Sequence, residues 1–164
     1  MKEVLTELAA YNSWANETLS KRLLNLPEEE WQKHYLSSFP GFYATLLHMM
    51  SAESIWWQRL KLKENVVSPA AHYGKSFPEL VNELLQLDKT WKEWVEKATP
   101  NALNHVFYYR NSKREEFRQP VYQVLVHLFN HNTYHRGQLV TILREAGVND
   151  IPQTDFIVWS RRKR

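Results

Sequence analysis

From Val121 to Ala146 apolar side chains return with the period of an α-helix, and this stretch limits the possible folds more than any other part of the chain. At about 100° per residue, Val121, Val124, Leu128, Leu139 and Ile142 share one sector, which other elements must cover. His131 and His135 fall in that sector too, about 40° apart and one turn from each other. Two imidazoles turned inward need hydrogen-bond partners or a cation to offset the loss of water. A spacing of four puts both rings on one face, within reach of a single ion at about 2.0 to 2.1 Å if that ion is zinc. On spacing alone the simpler alternative, two core histidines bonded to neighbouring polar groups, stays open.

A third histidine adds to the pair. His48 stands in the stretch from Gly41 to Trp56, where Thr45, Ala52, Ile55 and Trp56 share its helical side, so it is also expected to face inward. Two ligands from one helix and one from another would make a three-histidine site. Such a site leaves a position for water or substrate, as expected of a catalytic metal. His127 lies one turn before His131, but about 80° of rotation and about 12 Å of rise separate it from His135, so one ion cannot take all three. His127 with His131 is an alternative pair. His34, His72 and His105 fall in segments that read as loops or chain ends, where a solvated histidine is the default.

Composition narrows the chemistry. The 164 residues suffice for a core with a pocket, and no linker, repeat or low-complexity stretch divides them, so residues 1–164 are expected to form a single domain. The four glycines, Gly41, Gly74, Gly137 and Gly147, are too scattered for a GxGxxG turn or a phosphate-binding loop. Absence of cysteine excludes disulfides, thiolate ligands and a cysteine nucleophile. The start, Met1 to Leu8, interleaves charged and apolar residues, and no run of about eighteen apolar residues occurs, so a soluble, cytoplasmic protein without membrane partners is expected. The net charge of +3 is dispersed except at Arg161-Arg-Lys-Arg164, a short tail without any accompanying nucleic-acid motif, so nucleic acid is not an expected partner.

The pattern predicts an all-α fold. One helix spans Lys2 to Leu24, with Val4, Leu8, Ala15, Leu19 and Leu23 inward, and a connection from Pro27 to Pro40 leads to a second over Phe42 to Leu62. Val66 to Ser76 reads as a loop that ends in an N-cap at Ser76. A third helix then carries Leu80, Leu84, Leu87, Trp91 and Val95. Val106 to Tyr109 and Glu116 to Arg118, around the turn Asn111-Ser-Lys, suggest a small β-hairpin. Pro120 opens the last long helix and Gly147 closes it, and Ile151 to Trp159 is expected to pack back through its aromatics. Four long helices with inward ligands invite a di-iron reading, but no Glu-x-x-His occurs. Asn132 stands where an HExxH protease carries its glutamate, which argues against proteolysis.

Three segments carry a family resemblance. They are Tyr11-Asn-Ser-Trp-Ala-Asn16, then Leu47-His48 with Ala52-Glu-Ser-Ile-Trp56 and Arg59, and finally Asn130-His-Asn-Thr-Tyr-His-Arg-Gly-Gln138. With Gly147 and the Pro152 to Phe156 stretch, the chain resembles the DinB/YfiT group of four-helix-bundle metal proteins over nearly its whole length. The resemblance implies a bundle in which His48, His131 and His135 hold one divalent ion, zinc or nickel, with water completing the shell. It also implies a homodimer, and relatives that transfer or use low-molecular-weight thiols.

The expected function is therefore a metal-dependent enzyme that activates a small thiol or water. Transfer of the thiol to an electrophilic substrate comes first and hydrolysis second, and any thiol arrives with a cosubstrate because the chain has no cysteine. The alternative is a non-catalytic metal-binding or stress-response protein acting as a dimeric interaction module. Asn12 lies among Leu8, Ala15 and Leu19 and must find partners inside. It either contacts a ligand or metal-bound water, or ties two helices together. Tyr11, Trp14 and Trp56 read as packing groups, and Arg136 and Gln138 as structural. Glu53 and Tyr134 are proton carriers only if they reach the pocket, and helical phase places neither clearly inside.

Overall fold

The computed structural model describes residues 1–111 and 113–162; Ser112 of the hairpin turn and Lys163 and Arg164 of the basic tail lie outside the described residues. The long helices are α1 (Lys2–Leu24), α3 (Gly41–Leu60), α4 (Phe77–Lys97) and α6 (Val121–Glu145), with short helices α2 (Glu28–Trp31), α5 (Pro100–Asn104) and α7 (Phe156–Arg161) between and after them. Strands β1 (Val106–Arg110) and β2 (Glu116–Pro120) pair antiparallel just before α6, with Val106 opposite Pro120 and Arg110 opposite Glu116. The architecture is the expected all-α bundle with one small hairpin. Helix α1 packs on α4 and α6, and α3 packs on the same two, so the four close a ring.

Each boundary has a local cause. Ser76 and Glu79 form a reciprocal capping box at the start of α4, with Pro78 in the first turn. Gly41 starts α3 at φ +91°, where a Cβ would collide with the Lys33 carbonyl oxygen. The helix stops at Leu60 instead of Leu62, because Leu62 turns into the left-handed region at φ 52°. Helix α6 ends in a Schellman motif: Gly147 takes φ +77° and donates to Arg144 O, and Val148 donates to Leu143 O. The tail does fold back, for Tyr11 donates to Thr154 O at 2.8 Å and its ring meets Phe156 at 5.2 Å and Trp159 at 6.0 Å.

The inward positions of α1 are Leu5, Ala9, Asn12, Asn16, Leu19 and Leu23, which alternate steps of four and three. Val4, expected inside, is 59% exposed. The same seam runs through Phe42, Leu46, Met49 and Glu53 on α3, through Phe77, Val81, Leu84, Asp88, Trp91 and Val95 on α4, and through Leu125, Leu128, Asn132, Arg136, Leu139 and Leu143 on α6. Midway along, every long helix therefore places polar groups in the core. This layer separates two apolar clusters, one around Leu19, Phe42, Leu46, Phe77, Leu84 and Leu139, the other around Leu5, Trp91, Val95, Leu125 and Leu128. Each fully buried Leu or Phe contributes roughly 1.5–3 kcal/mol, so the ends hold the bundle and the middle can carry polar chemistry.

Candidate metal centre

Antiparallel packing of α3 on α6 sets His48 against His131 and His135, Glu53 against Asn132, and Trp56 against His127. His131 Nε2 lies 2.9 Å from His48 Nε2 and 3.1 Å from His135 Nε2, and ligand nitrogens of all three rings lie within 4.8 Å of one another. His135 is buried, whereas His48 and His131 are half-buried. Phe39, from the connection into α3, stacks on His48 at 4.1 Å and meets His135 edge-on at 5.7 Å, covering one side.

The protons of this cluster cannot be placed satisfactorily without a cation. His135 Nδ1 lies 2.7 Å from Gln138 Oε1, and Gln138 Nε2 donates to Ser38 Oγ, so Nδ1 carries the proton and His135 Nε2 keeps its lone pair. His131 Nε2 can then donate to His135 or accept from His48, but not both, so one contact always sets two donors or two lone pairs face to face. Burial, and then the neighbouring His135, pushes His48 down to about 4, and burial does the same to His131. All three rings are thus neutral imidazoles at neutral pH, each with one lone pair to offer a cation. Ions at about 2.0–2.1 Å from nitrogen separate adjacent ligands by about 2.9 Å in octahedral and 3.3 Å in tetrahedral sites, and the two spacings at His131 fall in this range. The group could hold a metal ion.

His127 is not part of the convergence. Its exposed ring sits 5.8 Å from that of His131 and 5.6 Å from Trp56. His34, His72 and His105 are exposed and apart from the cluster. Tyr134 packs edge-on to His135 at 5.1 Å but is itself 62% exposed.

Asn12 ties helices together. Its amide donates to Asp88 Oδ1 at 2.7 Å and its carbonyl accepts from Arg136 Nη1 at 2.9 Å, and Asn16 bridges the same two residues. The two asparagines thus relay between a buried guanidinium and a buried carboxylate. Glu53 is fully buried, a position that helical phase had left undecided; its Oε1 accepts from Asn132 Nδ2 at 2.5 Å, and its Oε2 has no hydrogen-bond partner. Burial pushes Asp88 up to about 7, held back by its amide donors, and pushes Glu53 further above its ordinary value, with the nearby Asp88 charge adding to the rise. Glu53 is therefore the member that keeps its proton, and Asp88 the one that ionises.

Residues 1–162 match the sequence pattern of the DinB family. The chain belongs to that family. It is similar to Protein DinB of Bacillus subtilis (strain 168), with 27% identity over 165 residues that cover 95% of this chain and 93% of that protein. The chain is thus a DinB-family bundle whose three clustered histidines could hold a metal ion. Sequence reasoning had missed Asp88, Phe39 and Ser38. Asp88 was detectable, since it occupies a seam position between Leu84 and Trp91, whereas Phe39 and Ser38 lie in a connection without periodicity.

Proposed function

We propose that His48, His131 and His135 are the ligands of one divalent ion, zinc or nickel, in a metal-dependent enzyme that joins a small thiol to an electrophile. The observation that carries this reading is the convergence of three histidine Nε2 atoms whose contacts no proton arrangement satisfies. A bound ion with three neutral ligands keeps its positive charge and lowers the pKa of a thiol or water in an open position. Gln138 fixes the tautomer and the aim of His135, and Ser38 fixes Gln138. Phe39 excludes water from one side of the cluster. In the transfer, a carbon–sulfur bond forms, the leaving group departs with its bonding pair, and the thiol proton passes to solvent. Metal-assisted hydrolysis stands second, on the same residues.

The thiol must be a cosubstrate, because the chain has no cysteine. A reduced thiol pool fits a cytoplasmic address, and among the described residues no helix is long and apolar enough to cross a membrane. Homodimerisation of a single domain, residues 1–164, belongs to the same reading and follows from the family resemblance. Elemental analysis of untagged protein tests the site: stoichiometric metal that disappears in His48→Ala, His131→Ala and His135→Ala supports it, and retention in any variant removes that residue. Turnover of a panel of low-molecular-weight thiols and electrophiles, abolished by chelator, supports transfer. Stoichiometric metal without any metal-dependent turnover favours the non-catalytic alternative.

A further inference from the structure

At the far end of α3 from the histidines, Arg59 carries a charge that the fold leaves unanswered. Its guanidinium carbon lies 4.6 Å from the Trp56 ring centroid and 5.1 Å from that of Tyr109. Tyr109 is fixed by its hydroxyl, which donates to Gln119 Oε1 at 2.5 Å. Arg59 Nε is buried and has no hydrogen-bond partner, and among the described residues no carboxylate lies within ion-pair distance of the side chain. Nearby Arg110, by contrast, is held by Glu116 at 2.6 Å. Half-buried guanidinium groups ordinarily end on a carboxylate or phosphate, because stacking satisfies their faces and leaves the in-plane N–H groups to be met at the edge.

Arg59 lines a cavity of about 890 Å³ between the segment 62–67 and the hairpin, with Leu62, Val66, Val67, Tyr108 and Tyr109 supplying its apolar wall. That volume is within the range of about 300–1,000 Å³ typical of small-molecule sites, which combine apolar walls with a few polar groups; here Lys63, Arg114 and Glu64 join Arg59 on the lining. We infer that this cavity binds a small organic molecule through a carboxylate, with the guanidinium of Arg59 as its anchor. One unpaired guanidinium presents a planar fork that matches one carboxylate. Arg110 is paired with Glu116, while Lys63 and Arg114 on the same wall outweigh Glu64 and add to the attraction for an anion; the apolar residues of the wall favour an organic carboxylate over inorganic phosphate. Neither Arg59 nor the cavity wall includes any of the three clustered histidines, so binding there is separable from the metal ion.

The buried Nε–H of Arg59 provides the readout, since protection from water makes its ¹H–¹⁵N resonance observable; the peak is assigned by its loss in Arg59→Lys. Benzoate is added to labelled protein, as purified and after chelator treatment, with neutral benzamide and inorganic phosphate as comparisons. The expected result is a saturable benzoate shift of that resonance in both preparations, no matching shift with benzamide, weaker phosphate binding, and roughly tenfold weaker benzoate binding in Arg59→Lys, followed through backbone peaks of the cavity wall. Equal shifts with benzamide would reduce the cavity to an apolar pocket, and phosphate binding as tight as benzoate would reduce Arg59 to part of a diffuse cationic surface. A shift abolished by metal removal would make the ion the anchor, and no saturation up to roughly 20 mM would leave no site; each of these overturns the assignment. Should Arg59→Lys fail to fold, the benzoate and benzamide comparison on the unaltered chain decides.

Discussion

Replacing Glu53 with glutamine should make the protein more stable at neutral pH, although it removes a fully buried ionisable group from the centre of the bundle. The reasoning starts from the proton. Glu53 accepts from Asn132 through Oε1, its Oε2 has no hydrogen-bond partner, and burial together with the nearby Asp88 charge favours the neutral acid. Glutamine keeps the oxygen that accepts from Asn132 with nearly the same shape and carries no charge, and the exchange itself costs about 1 kcal/mol or less. Linkage then favours the variant. A carboxyl whose folded pKa is raised above the unfolded 4.5 stabilises fully below that value, and its contribution is lost as pH climbs toward the folded pKa. The wild type therefore loses stability progressively as pH rises above 5, and Glu53→Gln keeps it, so the gap between the two proteins widens toward pH 7. Asp88→Asn should behave in the opposite way. It withdraws the negative charge that faces Arg136 through Asn12 and Asn16, and leaves a guanidinium that is only 3% exposed without compensation, at about 3–5 kcal/mol. Urea unfolding followed by circular dichroism, with chelator present and from pH 5 to pH 8, measures all three proteins. Parallel pH profiles for wild type and Glu53→Gln, with the variant less stable throughout, would refute the assignment of the proton to Glu53.

Three further outcomes follow from the geometry. Gln138→Ala frees the ring orientation of His135 and should raise the metal dissociation constant about 10–100-fold in a chelator competition, with the helical circular dichroism unchanged; undiminished affinity would mean that the Gln138 contact does not prepare the ligand. In metal-free protein His48 and His131 should stay neutral down to about 4, so the unfolded chain gains protons first and these groups withdraw stability as pH falls from 6.5 to about 4. Imidazole resonances of either residue titrating near 6.5 would contradict their burial as lone-pair donors. Ser76→Ala dismantles the capping box of α4 and should cost about 1 kcal/mol, seen by calorimetry as a Tm lower by about 2–4 °C; an unchanged Tm would show that the cap adds nothing to the packed helix.

Much of this was legible in the residues, and the gaps share one cause. The periods of α4 and α6 stand out because apolar side chains mark most of their inward positions, and so does the histidine pair placed among them. The phase of α1 was read one residue off at its start because Val4 and Leu8 look as apolar as Leu5 and Ala9. Only when Asn12 and Asn16 are counted as interior does the alternation of four and three select Leu5. Asp88 and Glu53 were passed over for the same reason: a carboxylate at a seam position is read as a solvated residue unless its partners on other helices are known, and those partners come from α1 and α6. The short helices α2 and α5 are too brief to display any period, and Phe39 reaches the histidines only because the chain between α2 and α3 folds across them.

The hydrophilic middle of the bundle also works as an alignment mark. Sliding α6 by seven residues is the smallest displacement that keeps its oily edge inward, and it would bring Phe129 or Leu143 to the height now occupied by Arg136. Asp88 would keep its two asparagine donors from α1 but lose the guanidinium they relay to, and both asparagine carbonyls would lose their donor. A bundle refilled with leucine at these heights would tolerate such sliding, at the risk of doubled or broadened NMR spectra, whereas the native set admits one vertical setting. That setting also fixes the height at which an imidazole of α3 meets two of α6.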